Sequence, residues 1–321
     1  MSHFTVLVIG PDVEKQLQPY HEYECTGIED EYVVDVNKND EVNEYLNREL
    51  FVGISKSSGE TDYQYYEDRA NETLVDFKKM TQLEYFILKG MSQEEIDQEI
   101  MGYHGFHKED GNWIRRTNPN AKWDWWVVGG RWSGFFKLKE NKEGILGRRS
   151  LVDPSNPEEN TADVAYKGDI DFDYLRDKAE QRAIKEIDLV LEAVKDTPEA
   201  ESWESVRERI KNIDDARNFY NNQERILAFK NMVKNHEDVF GYFADYDDYN
   251  YTREEFIKNE RNRAITTYAY VKDSVWYGKG DMGWWGMSDD KVTQEEWNEH
   301  FNQMIDSLPD DTPLTLVDAH I

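Results

Sequence analysis

The sequence predicts an α+β fold: a mixed or antiparallel sheet with hairpins and packed helices, carrying an inserted all-helical part. Three observations predict it. Apolar, β-branched runs stand near both ends of the chain, at 4–9 and 314–317. Between about 168 and 264 the apolar residues instead recur every three or four positions, the spacing of a helix face. Finally, 13% of the residues are aromatic, which an unfolded acidic chain does not carry. A buried ring removes on the order of 150 to 250 Å² from water, so Trp and Tyr are expected to carry the core although only 38% of the chain is apolar.

Taken in order, Phe4-Thr5-Val6-Leu7-Val8-Ile9 reads as a buried strand closed by Gly10-Pro11. The stretch from 28 to 72 is acidic with weak periodicity; a helix is expected at 40–48 and an exposed loop at 55–61. Ser92 with Glu95 forms a capping box for a short helix that ends at Gly102. Residues 122–136, Lys-Trp-Asp-Trp-Trp-Val-Val-Gly-Gly-Arg-Trp-Ser-Gly-Phe-Phe, read as a hairpin turning at Gly129-Gly130, since glycines supply the positive φ of tight turns. Pro154, Pro157 and many small polar residues make 140–167 a surface linker. From Phe172 through Leu175, Ala179, Ala183 and Ile187 to Val194 runs one apolar stripe, and further helical spacing follows Pro198. Thr252 with Glu255 and Thr293 with Glu296 are two more capping boxes, and a second hairpin turns at 271–273. The division that results is an α+β core of 1–139 and 265–321, a linker of 140–167 and a helical insertion of 168–264.

Charge restricts the partners. The 321 residues hold 38 Lys and Arg against 67 Asp and Glu, a net charge of −29. Phosphate backbones and anionic membranes need a cationic footprint, so direct nucleic-acid binding and membrane binding are not expected. No apolar run has the ~20 residues of a membrane span, and the opening residues lack the pattern of an export signal. Cys25 is the only cysteine. That excludes an internal disulfide and fits a reducing cytoplasm.

The chemistry-bearing residues are sparse. Imidazole, thiolate and carboxylate all bind transition metals, so His21, Cys25, His104, His107, Asp318 and His320 are the candidate ligands for a divalent metal, although their spacing matches no zinc motif and no cofactor is demanded. Arg131, beside Gly129-Gly130 and among tryptophans, is suited to grip a phosphate or carboxylate with two parallel bonds. Trp125, Trp132 and Trp285 would roof such a site. Gly278-Lys279-Gly280-Asp281-Met282-Gly283 has the G-x-G-x-x-G spacing, but a dinucleotide site needs a helix to open there and the sequence offers none. Asp245, Tyr246, Asp247, Asp248, Tyr249 and Tyr251 form an acidic, tyrosine-rich patch suited to a basic protein partner.

The opening Met1 to Gly10, His21 to Gly27, the tryptophan-rich 122–136, Gly168-Asp169-Ile170-Asp171-Phe172, Met282-Gly283-Trp284-Trp285-Gly286 and the closing Leu316-Val317-Asp318-Ala319-His320 together resemble a family of uncharacterised proteins of tailed bacteriophages and prophages. That resemblance implies a genomic setting and no catalytic residue. With the acidity it gives the first functional expectation: a cytoplasmic accessory protein that binds a host or anti-phage defence protein and covers its basic, nucleic-acid-binding surface. The alternative is a small-ligand-binding protein or metal-dependent enzyme, its site at the ends of the core hairpins.

Overall fold

The computed structural model describes residues 2–55, 61–64, 75–151, 156–240, 244–283 and 286–321. Seven strands, β1 (His3–Ile9), β2 (Trp125–Gly130), β3 (Arg148–Arg149), β4 (Val164–Tyr166), β5 (Ala269–Lys272), β6 (Val275–Gly278) and β7 (Pro313–His320), form one sheet in the order β3-β2-β7-β1-β5-β6, with β4 also on β7. The sheet is mixed: β1 runs antiparallel to β7 and parallel to β5. β1 and β7 are its middle strands, which explains why both ends of the chain read as buried β-branched runs. The fold is thus α+β, as the sequence predicts.

Between β4 and β5 the chain is helical: α1 (Phe172–Val194), α2 (Trp203–Arg209), α3 (Ile213–Asn221), α4 (Glu224–Asn235) and α5 (Arg253–Arg263). Asp171 caps α1 by accepting from Tyr174 N at 2.9 Å. The expected stripe buries Ala183, Ile187, Val190 and Val194 against Phe229 and Met232 of α4 and Phe256 of α5. After β6, α6 (Gln294–Ser307) opens on its capping box and lays Trp297, Phe301 and Ile305 over Leu7, Ile9, Leu314 and Leu316. The capping boxes at Ser92, Thr252 and Thr293 are all formed, and Thr81 with Glu84 makes a further one. No helix among the described residues is long and apolar enough to cross a membrane.

Two compact units result, Met1–Pro19 with Lys122–Ile321, and Tyr20–Ala121. The helical stretch stays with the sheet because Phe172, Leu175 and Ala264 at its two ends pack into the sheet's own core. Tyr20–Ala121 has a separate core of Val42, Phe86, Ile96, Ile100, Phe106 and Trp113. Its expected helix at 40–48 is Asn39–Asn47, and the helix capped by Ser92 runs to His104, with Gly105 in the left-handed region. Most of the expected loop at 55–61 lies outside the described residues.

Three expectations are corrected. Gly129 and Gly130 do not turn a hairpin: they end β2, which pairs with β7 and β3, and the turn follows at 131–134. Both glycines have positive φ, and buried carboxylates crowd them, Asp163 against Gly129 and Asp318 against Gly130, leaving no space for a Cβ. Residues 140–167 are not a linker but supply β3 and β4 to the sheet. What composition hides there is Asp163, a fully buried residue whose carboxylate gathers the surrounding backbone N–H groups. Lastly, among the described residues the largest side chains below 2% exposure are Phe136, Phe229, Phe301 and a set of Leu and Ile, while Trp113, Trp123, Trp297 and Tyr270 are core residues at 3 to 7%. Indole N–H and phenol O–H groups need partners, as Trp123 finds in Leu17 O and Trp297 in Thr267 O. The second hairpin does form, with Asp273 and Ser274, both at positive φ, as its two turn residues.

Candidate functional site

Side chains alternate across a strand, so the register of β1 on β7 decides which residues share a face. Leu7 opposes Leu316 and Ile9 opposes Leu314; on the same face, further along, Thr5 opposes Asp318 and His3 opposes His320. β2 continues the row, with Val127 opposite Asp318 and Trp125 opposite His320. One face is therefore apolar under α6 and polar at its other end. There His3, Trp125, Val127, Gly130, Arg131, Arg148, Arg149 and Asp318 line a cavity of about 390 Å³.

The polar groups of this end are held by short bonds. Asp318, 1% exposed, accepts from His3 Nδ1 at 2.8 Å and from the Arg131 backbone N–H at 2.9 Å. His320 Nδ1 lies 2.6 Å from Asp124 Oδ1. A carboxylate accepts in these bonds, so each imidazole donates from Nδ1, and the neutral ring has its lone pair on Nε2. Rings then fix the geometry: His320 is stacked on Trp125 at 4.9 Å, and His3 stands edge-on to both, 5.2 Å from Trp125 and 4.9 Å from His320.

The guanidinium groups supply the charge. Arg131 follows the crowded Gly130, and its buried Nε has no hydrogen-bond partner among the described residues. Arg148 and Arg149 sit on β3, brought there by Gly147, whose missing Cβ lets the chain pass against Val128 O. Arg149 donates to Asn156 Oδ1 at 3.0 Å. Elsewhere arginines are consumed by the abundant acids: Arg176, Arg225, Arg253 and Arg261 each hold a carboxylate. Among the described residues Arg131 and Arg148 hold none.

Of the expected ligand-binding residues, Arg131 and Trp125 therefore meet in one cavity. Trp132 packs against the sheet core instead, and Trp285 lies outside the described residues. Of the expected metal ligands, Asp318 and His320 share this end of the sheet but are bonded to His3 and Asp124. The other four belong to the Tyr20–Ala121 unit. There His21 is buried between Thr26 and Asp30, Cys25 is exposed, His104 is 3.8 Å from Glu41, and His107 is exposed beside Glu109. His3, Asp124, Arg148 and Arg149 were not anticipated. Period two puts His3 on the face of Leu7 and Ile9 and Asp318 on the face of Leu314 and Leu316, but only the pairing of β1 with β7 brings the two together.

Most of the acidic tyrosine patch is engaged internally, with Asp248 exposed. Tyr249 is buried, stacked on Phe256, and donates to Glu186 at 2.5 Å; Tyr251 donates to Glu295 at 2.7 Å. Asp245 accepts from Tyr220 Oη, Asp247 from Trp203 N, and Tyr246 Oη from Arg225. Burial first, then the neighbouring carboxylates, raise the phenols of Tyr220 and Tyr249; burial likewise pushes Tyr270 up to about 12. A phenol raised on folding lends stability that is whole below the unfolded value of about 10 and is lost as pH climbs toward the folded one. Alkaline titration is expected to show two phases of phenolate absorbance, exposed tyrosines first, the later phase coinciding with loss of helical circular dichroism. A single early phase with the helix signal intact contradicts this burial.

Comparison with protein-family models, with curated proteins and with solved structures finds no match, so the functional reading rests on the cavity itself.

Proposed function

We propose that this chain binds a small anionic ligand, a phosphate or carboxylate carried on a planar molecule, in the cavity between β1, β2, β3 and β7. The observation that carries the reading is the Arg131 guanidinium, partly desolvated and without an acidic partner among the described residues of a chain of net charge −29. Removing a cation from water is costly unless an anion or acceptor meets it. An anion gripped by Arg131 and Arg148 supplies that acceptor, and the 43% exposed Trp125 offers a ring face beside it. The volume fits: ligand pockets commonly span about 300 to 1,000 Å³.

The reading as an acidic accessory protein that covers a basic surface of a host or defence protein draws on net charge and on the phage resemblance. Five of the six residues of the patch named for it are bonded to their own neighbours, so the arginine cavity is the better supported of the two. A phage setting suits either.

Calorimetric titration with phenyl phosphate, with phenol as the neutral control, tests the proposal. Phenyl phosphate is expected to bind and phenol not. Hydrogen bonds to charged groups contribute about 1.5 to 3 kcal/mol, so Arg131→Gln is expected to weaken binding by about 10- to 100-fold. Equal affinity in wild type and Arg131→Gln, or no saturable heat at millimolar ligand, overturns it.

A further inference from the structure

We infer that this cavity also cleaves its ligand: His3 is the general base of a phosphodiester hydrolysis that needs no metal. The inference rests on the reading above, that the arginines hold a phosphoryl group. Three features of the site carry it beyond binding. His3 lines the cavity, and its Nδ1 is committed to Asp318, so its basic nitrogen is Nε2, which has no hydrogen-bond partner among the described residues. Asp318 cannot turn away, because it is buried, wedged against Gly130 and tied to the Arg131 N–H. The ring is also boxed edge-on by Trp125 and His320, which fixes its direction. A carboxylate that orients an imidazole, beside Arg131 and Arg148, which hold no carboxylate among the described residues, is the arrangement needed to activate water at an anionic centre.

The step balances with water as the only co-reactant. His3 Nε2 takes a proton from a water molecule, and the water oxygen forms a bond to phosphorus. The bond between phosphorus and the leaving oxygen breaks, and its electron pair stays on that oxygen. The leaving oxygen takes a proton from solvent, and His3 returns its proton to solvent. Arg131 and Arg148 neutralise the charge that builds on the two non-bridging oxygens. Products are a phosphomonoester and an alcohol. Asp318 is a positioning residue: it touches His3, not the substrate.

The test is release of nitrophenol from bis(p-nitrophenyl) phosphate by the full chain, with and without EDTA. Turnover unaffected by EDTA is expected. Positioned proton transfer contributes about 10²- to 10⁴-fold, so His3→Asn is expected to lower kcat at least a hundredfold. Asp318→Asn keeps the shape and the bond from Arg131 N–H but donates to Nδ1, forcing the lone pair off Nε2; kcat is expected to fall with KM unchanged. That split separates positioning from mere structure. Binding of phenyl phosphate without any turnover, turnover abolished by EDTA, or full turnover in His3→Asn overturns the inference and leaves the binding reading standing. Absence of binding overturns both.

Discussion

Asp163→Ala is expected to bring the protein close to unfolding. Asp163 is 0% exposed, and its two oxygens accept from Gly134 N at 2.7 Å, Phe135 N at 3.1 Å, Gly147 N at 2.7 Å and Ser133 Oγ at 3.1 Å. Its backbone meanwhile bridges Ile145 O and Leu316 N. Alanine keeps the backbone bonds and strips an acceptor from three amides and a hydroxyl. A donor left unsatisfied in the interior costs about 1 to 3 kcal/mol, and such losses are not additive, so the expected total is about 4 kcal/mol. Against a domain stability of about 5 to 15 kcal/mol this is severe. Asp163→Asn retains one carbonyl oxygen and turns the other acceptor into a donor that faces donors, so it should fall between wild type and alanine. Urea unfolding midpoints measure the series. A midpoint for Asp163→Ala equal to that of wild type contradicts the role given to this residue. The consequence reaches the site, because the same carboxylate ties the turn after Arg131 to the start of β3 and so holds Arg131 and Arg148 on one cavity.

Gly130→Ala is the second large effect. Gly130 has φ +56°, and a Cβ built on it would lie 2.2 Å from Asp318 Oδ2 and 2.4 Å from Asp318 Cβ. The left-handed conformation costs an alanine about 1 to 2 kcal/mol. The clash adds more, since Asp318 can yield only by leaving His3 and the Arg131 N–H. A loss of about 3 kcal/mol is expected, together with loss of ligand binding. Gly27→Ala is the matched control: φ there is +64°, but nothing lies within 4 Å of its Cβ position, so only the conformational strain applies. Thermal unfolding of the two variants compares them directly. Equal destabilisation by both would show that Asp318 does not press on Gly130.

Much of the framework was legible because it depends on local rules. Phe4 to Ile9 announces a buried strand, Thr293 with Glu296 announces the start of α6, and the stripe ending at Val194 announces α1. Gly129-Gly130 misled because a glycine pair is read as a turn, while its physical cause is a pair of carboxylates, Asp163 and Asp318, arriving from far along the chain. Residues 140–167 misled for a related reason. Loop-like composition says nothing of pairing, and β3 and β4 are short strands held by partners remote in sequence. In the site, Arg131, Trp125, Asp318 and His320 were identifiable by residue type. His3 was not, since a histidine near a chain start has no local feature; only the β1 and β7 register sets it beside Asp318. The arginines of β3 required the same long-range knowledge.

Ligand binding requires Arg131 to meet an anion inside the cavity. Side-chain guanidinium resonances report this directly, with the Arg131 Nε–H signal assigned by its disappearance in Arg131→Gln. Addition of phenyl phosphate is expected to shift that signal saturably, at the same concentrations that saturate calorimetry, while phenol leaves it in place. If the ligand moves only signals of exposed arginines, or moves the Arg131 signal no more than an equal concentration of chloride does, the cavity is not an anion site and the account is wrong.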